Sequence, residues 1–206
     1  MERRRFIATS AGLLAAGSAP AGAQRNDPRV LRFVPQANLT ALDPVWTTAA
    51  VTSLHGYTVF DTLYGTDDAG RIRPQMAEGH TVSDDGLTWT IRLRDGLRWH
   101  DGEPVLARDC IASLQRWSKR DVFGQSLAAA AAEWTAPDDR TLRIRLRTPF
   151  PMLLSAIGKT ASNMPLMMPE RLARTDPFRQ VTEMIGSGPF RFLKDEYVSG
   201  SRVAYA

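Results

Sequence analysis

Between Thr88 and Arg94 apolar and polar residues alternate strictly, with Trp89, Ile91 and Leu93 in one register and Thr88, Thr90, Arg92 and Arg94 in the other. A period of two marks a half-buried antiparallel strand, and the flanking Asp85-Gly86 and Asp95-Gly96 pairs supply turns to bound it. The same pattern returns after Asp138-Asp139, where Leu142, Ile144 and Leu146 alternate with Arg143, Arg145 and Arg147. The two stretches predict strands of one small sheet with their apolar side inward. Between them the period changes. After Glu103-Pro104, residues Cys110, Ile111, Leu114 and Trp117 recur at i, i+1, i+4 and i+7, which predicts an amphipathic helix lying over that sheet.

Shorter signals frame this centre. Val30-Leu31-Arg32-Phe33-Val34, closed by Pro35, predicts a buried strand, and Asn38 to Pro44 predicts the loop after it. Residues 49–64 carry Val51, Leu54, Tyr57, Val59, Phe60 and Leu63, a spacing that predicts a helix. Alanines 128–132 predict a second, shorter helix, and Pro149 and Pro151 break the chain before the apolar stretch Met152 to Ile157. Gly186-Ser187-Gly188 predicts a turn into a last strand, Pro189-Phe190-Arg191-Phe192-Leu193. The elements add up to a mixed α and β fold.

Composition places the 206 residues, 43% apolar and 23% charged, among folded globular chains. The formal charge of +4 is unevenly placed, since three arginines and one glutamate occupy the first five residues. Arg3-Arg4-Arg5-Phe6-Ile7, the mildly apolar run Ala8 to Gly17 and the small residues Ala21 and Ala23 together read as a signal peptide. It spans residues 1–23, is cut before Gln24 and directs the product to the periplasm. The paired arginines resemble a twin-arginine signal; Glu2 stands where such signals carry Ser or Thr, which leaves ordinary secretion open. A membrane-spanning helix needs about 20 apolar residues, and this run is too short.

The strand arginines share the outward side of a sheet and read as a solvated face rather than a nucleic-acid surface. No basic run is interleaved with aromatics, and no helix-turn-helix or zinc-finger spacing occurs. The single cysteine, Cys110, excludes an internal disulfide, and on the apolar stripe it reads as a packed small hydrophobe. His55, His80 and His100 are far apart and offer no metal-ligand spacing. His100-Asp101 lies in a block of Asp-Gly turns and reads as a solvated turn histidine, not a catalytic base. Gly186-x-Gly188 runs into Pro189-Phe190 rather than a helix with a third glycine, so it is no dinucleotide loop. Neither a Gly-x-Ser-x-Gly elbow nor a P-loop is present. No cofactor is expected, and binding is favoured over chemistry.

An ordered series of motifs narrows this further. Val59-Phe60-Asp61-Thr62-Leu63-Tyr64 precedes Pro74-Gln75-Met76-Ala77-Glu78 and Asp84-Asp85-Gly86-Leu87-Thr88-Trp89. Then come Leu93 through Val105 with Asp-Gly at 95–96 and 101–102, the helix from Ala107 to Leu114, and Gly186-Ser187-Gly188-Pro189-Phe190. In this series the chain resembles the extracellular solute-binding protein family 5, whose members serve dipeptide, oligopeptide and nickel ABC importers. Cys110, where an apolar β-branched residue is usual, and Leu106, where a capping Thr is common, depart from the pattern.

The resemblance implies a lobe of the class II periplasmic-binding-protein type with a small inserted antiparallel subdomain, and a second lobe beyond the matched region. It divides the chain into residues 24–65 (first part of lobe I), 66–170 (the inserted subdomain) and 171–206 (the return to lobe I). Such a chain is the N-terminal part of a longer, monomeric protein and forms one wall of a cleft. That protein would capture a peptide or similar solute and deliver it to permease subunits. Nickel complexes, opines or oligosaccharides are alternative solutes, and a truncated product without function is a further alternative. The loop Gln36 to Asp43 would face the cleft, which makes Asn38, Leu39 and Thr40 wall residues, with Trp46 and Tyr57 as the nearest large aromatics and Asn163 from a second loop. Trp46 and Tyr57 read equally well as core, since aromatics at helical spacing usually pack inward.

Overall fold

The alternating stretches form the middle of a four-stranded antiparallel sheet. In this computed structural model, which describes residues 27–206 other than Ser162, the sheet is built from β4 (Ala77–Val82), β5 (Thr88–Leu93), β6 (Ala131–Asp138) and β7 (Thr141–Leu146), in the order β4-β5-β7-β6. Trp89 faces Ile144 and Ile91 faces Leu142 across the central pair. All four are buried, while Arg92, Arg143 and Arg145 point to solvent. Asp85-Gly86 and Asp95-Gly96 make the expected turns, with Gly86 and Gly96 at φ 70° and 74°, a region that disfavours a side chain.

The predicted helix is α2 (Ala107–Trp117). Cys110, Leu114 and Trp117 are fully buried in the main core together with the sheet residues, and burial of each such side chain contributes roughly 1.5–3 kcal/mol. Its other flank is covered as well. Ala112 packs into a second apolar cluster with Val45, Val59, Phe60, Leu166 and Met168. The helix is therefore enclosed on two sides, and the polar residues Asp109, Ser113 and Arg116 are buried with it. With Leu106 at the N-cap, Asp109 supplies the cap by accepting from the Leu106 backbone N–H at 2.9 Å. The same oxygen accepts from Trp99 Nε1 at 3.2 Å, and the second oxygen accepts from Glu170 N at 2.9 Å.

Four expectations change. The helix expected over residues 49–64 ends at Val59 as α1 (Ala50–Val59), and the next residues form β1 (Asp61–Thr62) and β2 (Tyr64–Thr66). Local spacing is overridden there by pairing with β8 (Leu166–Met167) and with β3 (Ile72–Pro74). The short helix expected at the alanines begins earlier, as α3 (Val122–Ala130) capped by Asp121, whose carboxylate accepts from Gly124 N at 3.1 Å; Ala131 already belongs to β6. Residues 189–193 make an isolated bridge, Phe192 to Tyr205, instead of a full strand. Residues 30–34 form no strand, and Leu31, Phe33 and Val34 are exposed. A strand persists where a neighbour takes its N–H and C=O groups, and no ladder among the described residues includes 30–34.

The remaining elements are α4 (Leu153–Ile157), from the apolar stretch after Pro151, α5 (Glu170–Ala173) and a 3-10 turn at Lys194–Glu196. Residues 35–206 form one compact unit, separate from the preceding residues. No described helix is long and apolar enough to cross a membrane. The signal peptide and its cleavage point lie outside the described residues.

Candidate ligand-binding wall

Asp43-Pro44 is a turn with a buried anchor. The Asp43 carboxylate accepts from Val45 N (3.0 Å) and Val181 N (2.9 Å), and the Arg116 guanidinium grips both of its oxygens at 3.2 and 2.6 Å. The two side chains are 0% and 1% exposed. Arg116 also donates to Thr175 O and Arg179 O. One ion pair thus fixes loop 43–46, α2 and segment 175–181 against each other.

The loop so fixed presents Trp46 at its end. The Arg120 guanidinium, just beyond α2, lies over the Trp46 ring and over the Phe178 ring, 5.1 Å from each centroid. Its Nη2 donates to Trp46 O at 2.7 Å. At the next residue in the chain, Asp121 pairs with Lys159, whose Nζ lies 5.6 Å from the Phe123 centroid. Asn163 completes the group. Its Nδ2 donates to Val45 O (2.8 Å) and Thr47 O (3.3 Å), and its backbone carbonyl accepts from Trp117 Nε1. Phe178 and Phe123 remain 61% and 41% exposed. An open depression of about 640 Å³ lies alongside, lined by Gln115, Lys119, Arg174 and Phe178 among others. Exposed aromatic faces beside fixed polar groups are the raw material of solute recognition.

Of the six residues singled out in the sequence, Trp46 and Asn163 come together here. Leu39 is buried, and its carbonyl accepts from Tyr197 Oη at 3.0 Å; Asn38 and Thr40 flank it, exposed, and Asn38 Nδ2 lies near Gly200. Those three therefore adjoin the C-terminal segment rather than Trp46's cluster. Tyr57 stands on α1, 38% exposed. Arg116, Arg120, Phe123, Lys159 and Phe178 have no signal in the linear pattern, because what distinguishes them is contact with remote segments.

The histidines have structural surroundings. His55 Nδ1 is 2.7 Å from Tyr205 Oη, and burial lowers the imidazole's pKa to about 4 and raises the Tyr205 hydroxyl to about 12, so both are neutral near pH 7. His100 is not the solvated turn residue expected. Its Nε2 meets Gly188 O at 2.9 Å and its backbone N–H donates to Gly186 O at 2.8 Å. The acceptor is a carbonyl, so Nε2 carries the proton. The glycine segment packs onto the turn at 100–102 and leaves the ring part-buried. Burial raises the Cys110 thiol well above its usual range and leaves it protonated. Among the described residues no three His, Cys, Asp or Glu side chains gather as metal ligands.

The family model for bacterial extracellular solute-binding proteins, family 5 Middle, matches residues 71–206. The chain belongs to this family. Among family 5 relatives, the probable peptide ABC transporter periplasmic-binding protein y4tO of Sinorhizobium fredii is 43% identical over 168 residues, which are 82% of this chain and 31% of the relative. The glutathione-binding protein GsiB of Salmonella typhi is 32% identical over 130 residues, 62% of this chain and 25% of that protein. The binding protein AgaA from Agrobacterium tumefaciens, solved with agropinic acid, superposes with a TM-score of 0.69 at 23% identity, over 82% of this chain and 34% of its own. At that identity the likeness shows the fold, a mixed α and β periplasmic-binding-protein architecture. The family 5 chain described here spans about a quarter to a third of the length of these relatives.

Proposed function

We propose that this chain supplies one wall of the solute-capturing component of an ABC importer, with a peptide as the solute. The observation that carries the reading is the 43% identity, over 82% of the chain, to a probable peptide-transporter binding protein. The cluster at Trp46 and Asn163, with its exposed aromatic faces, is the surface that would meet the solute; Asn38, Leu39 and Thr40, beside the C-terminal segment, and Tyr57 on α1 would be further residues of the wall. Residues 24–65 and 171–206 belong to the first lobe, 66–170 to a subdomain inserted in it. The protein is exported by the segment 1–23, works as a monomer in the periplasm and hands its solute to membrane permease subunits. Capture requires no reaction. A wall that buries one side of a peptide binds it weakly, and closure of an opposing lobe supplies the rest.

Mass spectrometry of the complete gene product, purified from a periplasmic extract, tests this. The expected result is a mature chain beginning at Gln24 that releases peptide masses on denaturation and rebinds a mixture of synthetic di- and tripeptides one to one. A product that retains residues 1–23 in the cytoplasm and binds none of those peptides would overturn it.

A further inference from the structure

At one end of the four-stranded sheet three stretches of chain converge: the residues leaving β5, the segment 96–106 before α2, and the turn between β6 and β7. Each contributes an arginine. Arg94, Arg98 and Arg140 line one cavity of about 170 Å³, whose apolar lining includes Leu97, Val105 and Leu106, and no acid is among its lining residues.

The three guanidinium groups are fixed by backbone oxygens. Arg94 Nε donates to Gln75 O at 2.6 Å, Arg98 Nη1 to Gly102 O at 2.8 Å, and Arg140 Nε and Nη2 to Leu93 O at 3.1 and 2.7 Å. A carbonyl orients a cation without neutralising it. Arg140 does have acidic partners, Asp95 and, at 3.5 Å, Glu78, but these side chains are 84% and 58% exposed, and Glu78 is shared with Arg92. Ion pairs that open to water are weak. Arg94 and Arg98 have no ion pair among the described residues, and Arg94 keeps both Nη groups, and Arg98 its Nε and Nη2, without a partner there. The cavity therefore carries surplus positive charge beside apolar side chains, which strengthen its field.

Size and donor geometry select the ligand. The volume is well below the roughly 300–1,000 Å³ of sites that enclose an organic solute, so a small anion or a single head group fits. Spare donors on arginines from separate segments suit an anion with several oxygens pointing different ways, which a phosphate group has. Arginines already held in place lose little freedom when it arrives. The cavity lies at the N-terminal end of α2, and Arg116 near its C-terminal end. Eleven residues at 1.5 Å each put the two ends about 16 Å apart.

We propose that this cavity is a second binding site, separate from the wall at Trp46, and that it takes a phosphate group through Arg94, Arg98 and Arg140. Two sources carry that group: free phosphate, and the head group of an anionic phospholipid, which would hold the protein at a membrane surface.

Isothermal titration of the complete protein with inorganic phosphate, in chloride buffer at constant ionic strength, tests the site. Wild type should bind phosphate one to one. Arg94→Gln combined with Arg98→Gln should weaken it about 10- to 100-fold, the effect of losing hydrogen bonds to a charged group. Arg143→Gln combined with Arg145→Gln, the same charge change on the outer side of β7, should leave it within about threefold. All four arginines are exposed, so both variants should keep the parent's melting midpoint. Flotation with phosphatidylglycerol vesicles, against phosphatidylcholine vesicles, separates the sources. Flotation lost in the first variant and kept in the second assigns the lipid head group, and phosphate binding without flotation assigns free phosphate. No response of wild type to either probe, or equal responses from the two variants, would overturn the site and leave the peptide reading standing.

Discussion

Arg116→Ala is expected to lower the unfolding free energy by about 3–5 kcal/mol, the range for removing one partner of a buried ion pair. The Asp43 carboxylate, 0% exposed, would keep its bonds to Val45 N and Val181 N but lose both contacts to the guanidinium. The carbonyls of Thr175 and Arg179 would lose their donor as well. A marginally stable domain has about 5–15 kcal/mol in all, so this one side chain decides whether loop 43–46 and segment 175–181 stay docked. The comparison that isolates the pair is Asp43→Asn with Arg116→Met. Together they should cost less than the sum of the single changes, because no charge is left stranded. Urea unfolding followed by tryptophan fluorescence measures the parent and all four variants. A loss below about 1 kcal/mol for Arg116→Ala, the size of a surface pair, would show that the pair is exposed in solution.

Gly186→Ala should cost about 3 kcal/mol, the upper part of the overpacking range. A Cβ at this position would lie 2.1 Å from Val59 O and 2.8 Å from Phe60 Cα. The obstacle is backbone, and backbone that is held. Val59 and Phe60 are 0% and 1% exposed, and Val59 O accepts from Gly188 N at 2.9 Å. Relief would require residues 186–188 to pull away from the end of α1, breaking that bond and the contacts of His100 with Gly186 O and Gly188 O. Gly79→Ala is the control. Its Cβ would meet nothing within 4 Å, so its stability should stay within about 1 kcal/mol of the parent. Thermal melts of the two variants give the comparison, and equal midpoints would mean that the glycine segment does not lie against α1.

The same contrast explains what could be read from the chain alone. The strands at 88–93 and 141–146 and the helix at 107–117 have local signals, a period of two or a stripe of apolar residues, and they form where expected. The Asp-Gly turns are local as well. What failed was whatever depends on a distant partner. Val30 to Val34 has strand composition but no ladder among the described residues, and the helix expected to reach residue 64 stops at Val59 because Asp61 and Thr62 pair with Met167 and Leu166. Gly186-Ser187-Gly188 was legible as a glycine motif, yet its glycines answer to close approach rather than to a turn.

The wall followed the same rule. Trp46 and Asn163 could be picked out as an aromatic and an amide in loops. The bonds that organise them span 73 residues from Asp43 to Arg116, 74 from Trp46 to Arg120 and 118 from Val45 to Asn163. Arg116 stands between Gln115 and Trp117 on an amphipathic helix and looks like a solvated arginine until a second core covers it.

The central claim is that this scaffold holds a solute and leaves it unaltered. A titration of the complete protein with trialanine, read by tryptophan fluorescence and followed by mass spectrometry of the peptide recovered, tests it most directly. The account predicts a saturable change of one-to-one stoichiometry, muted in Trp46→Phe, with the peptide returned intact. A peptide recovered cleaved or modified, or no change in fluorescence at any concentration, would contradict it.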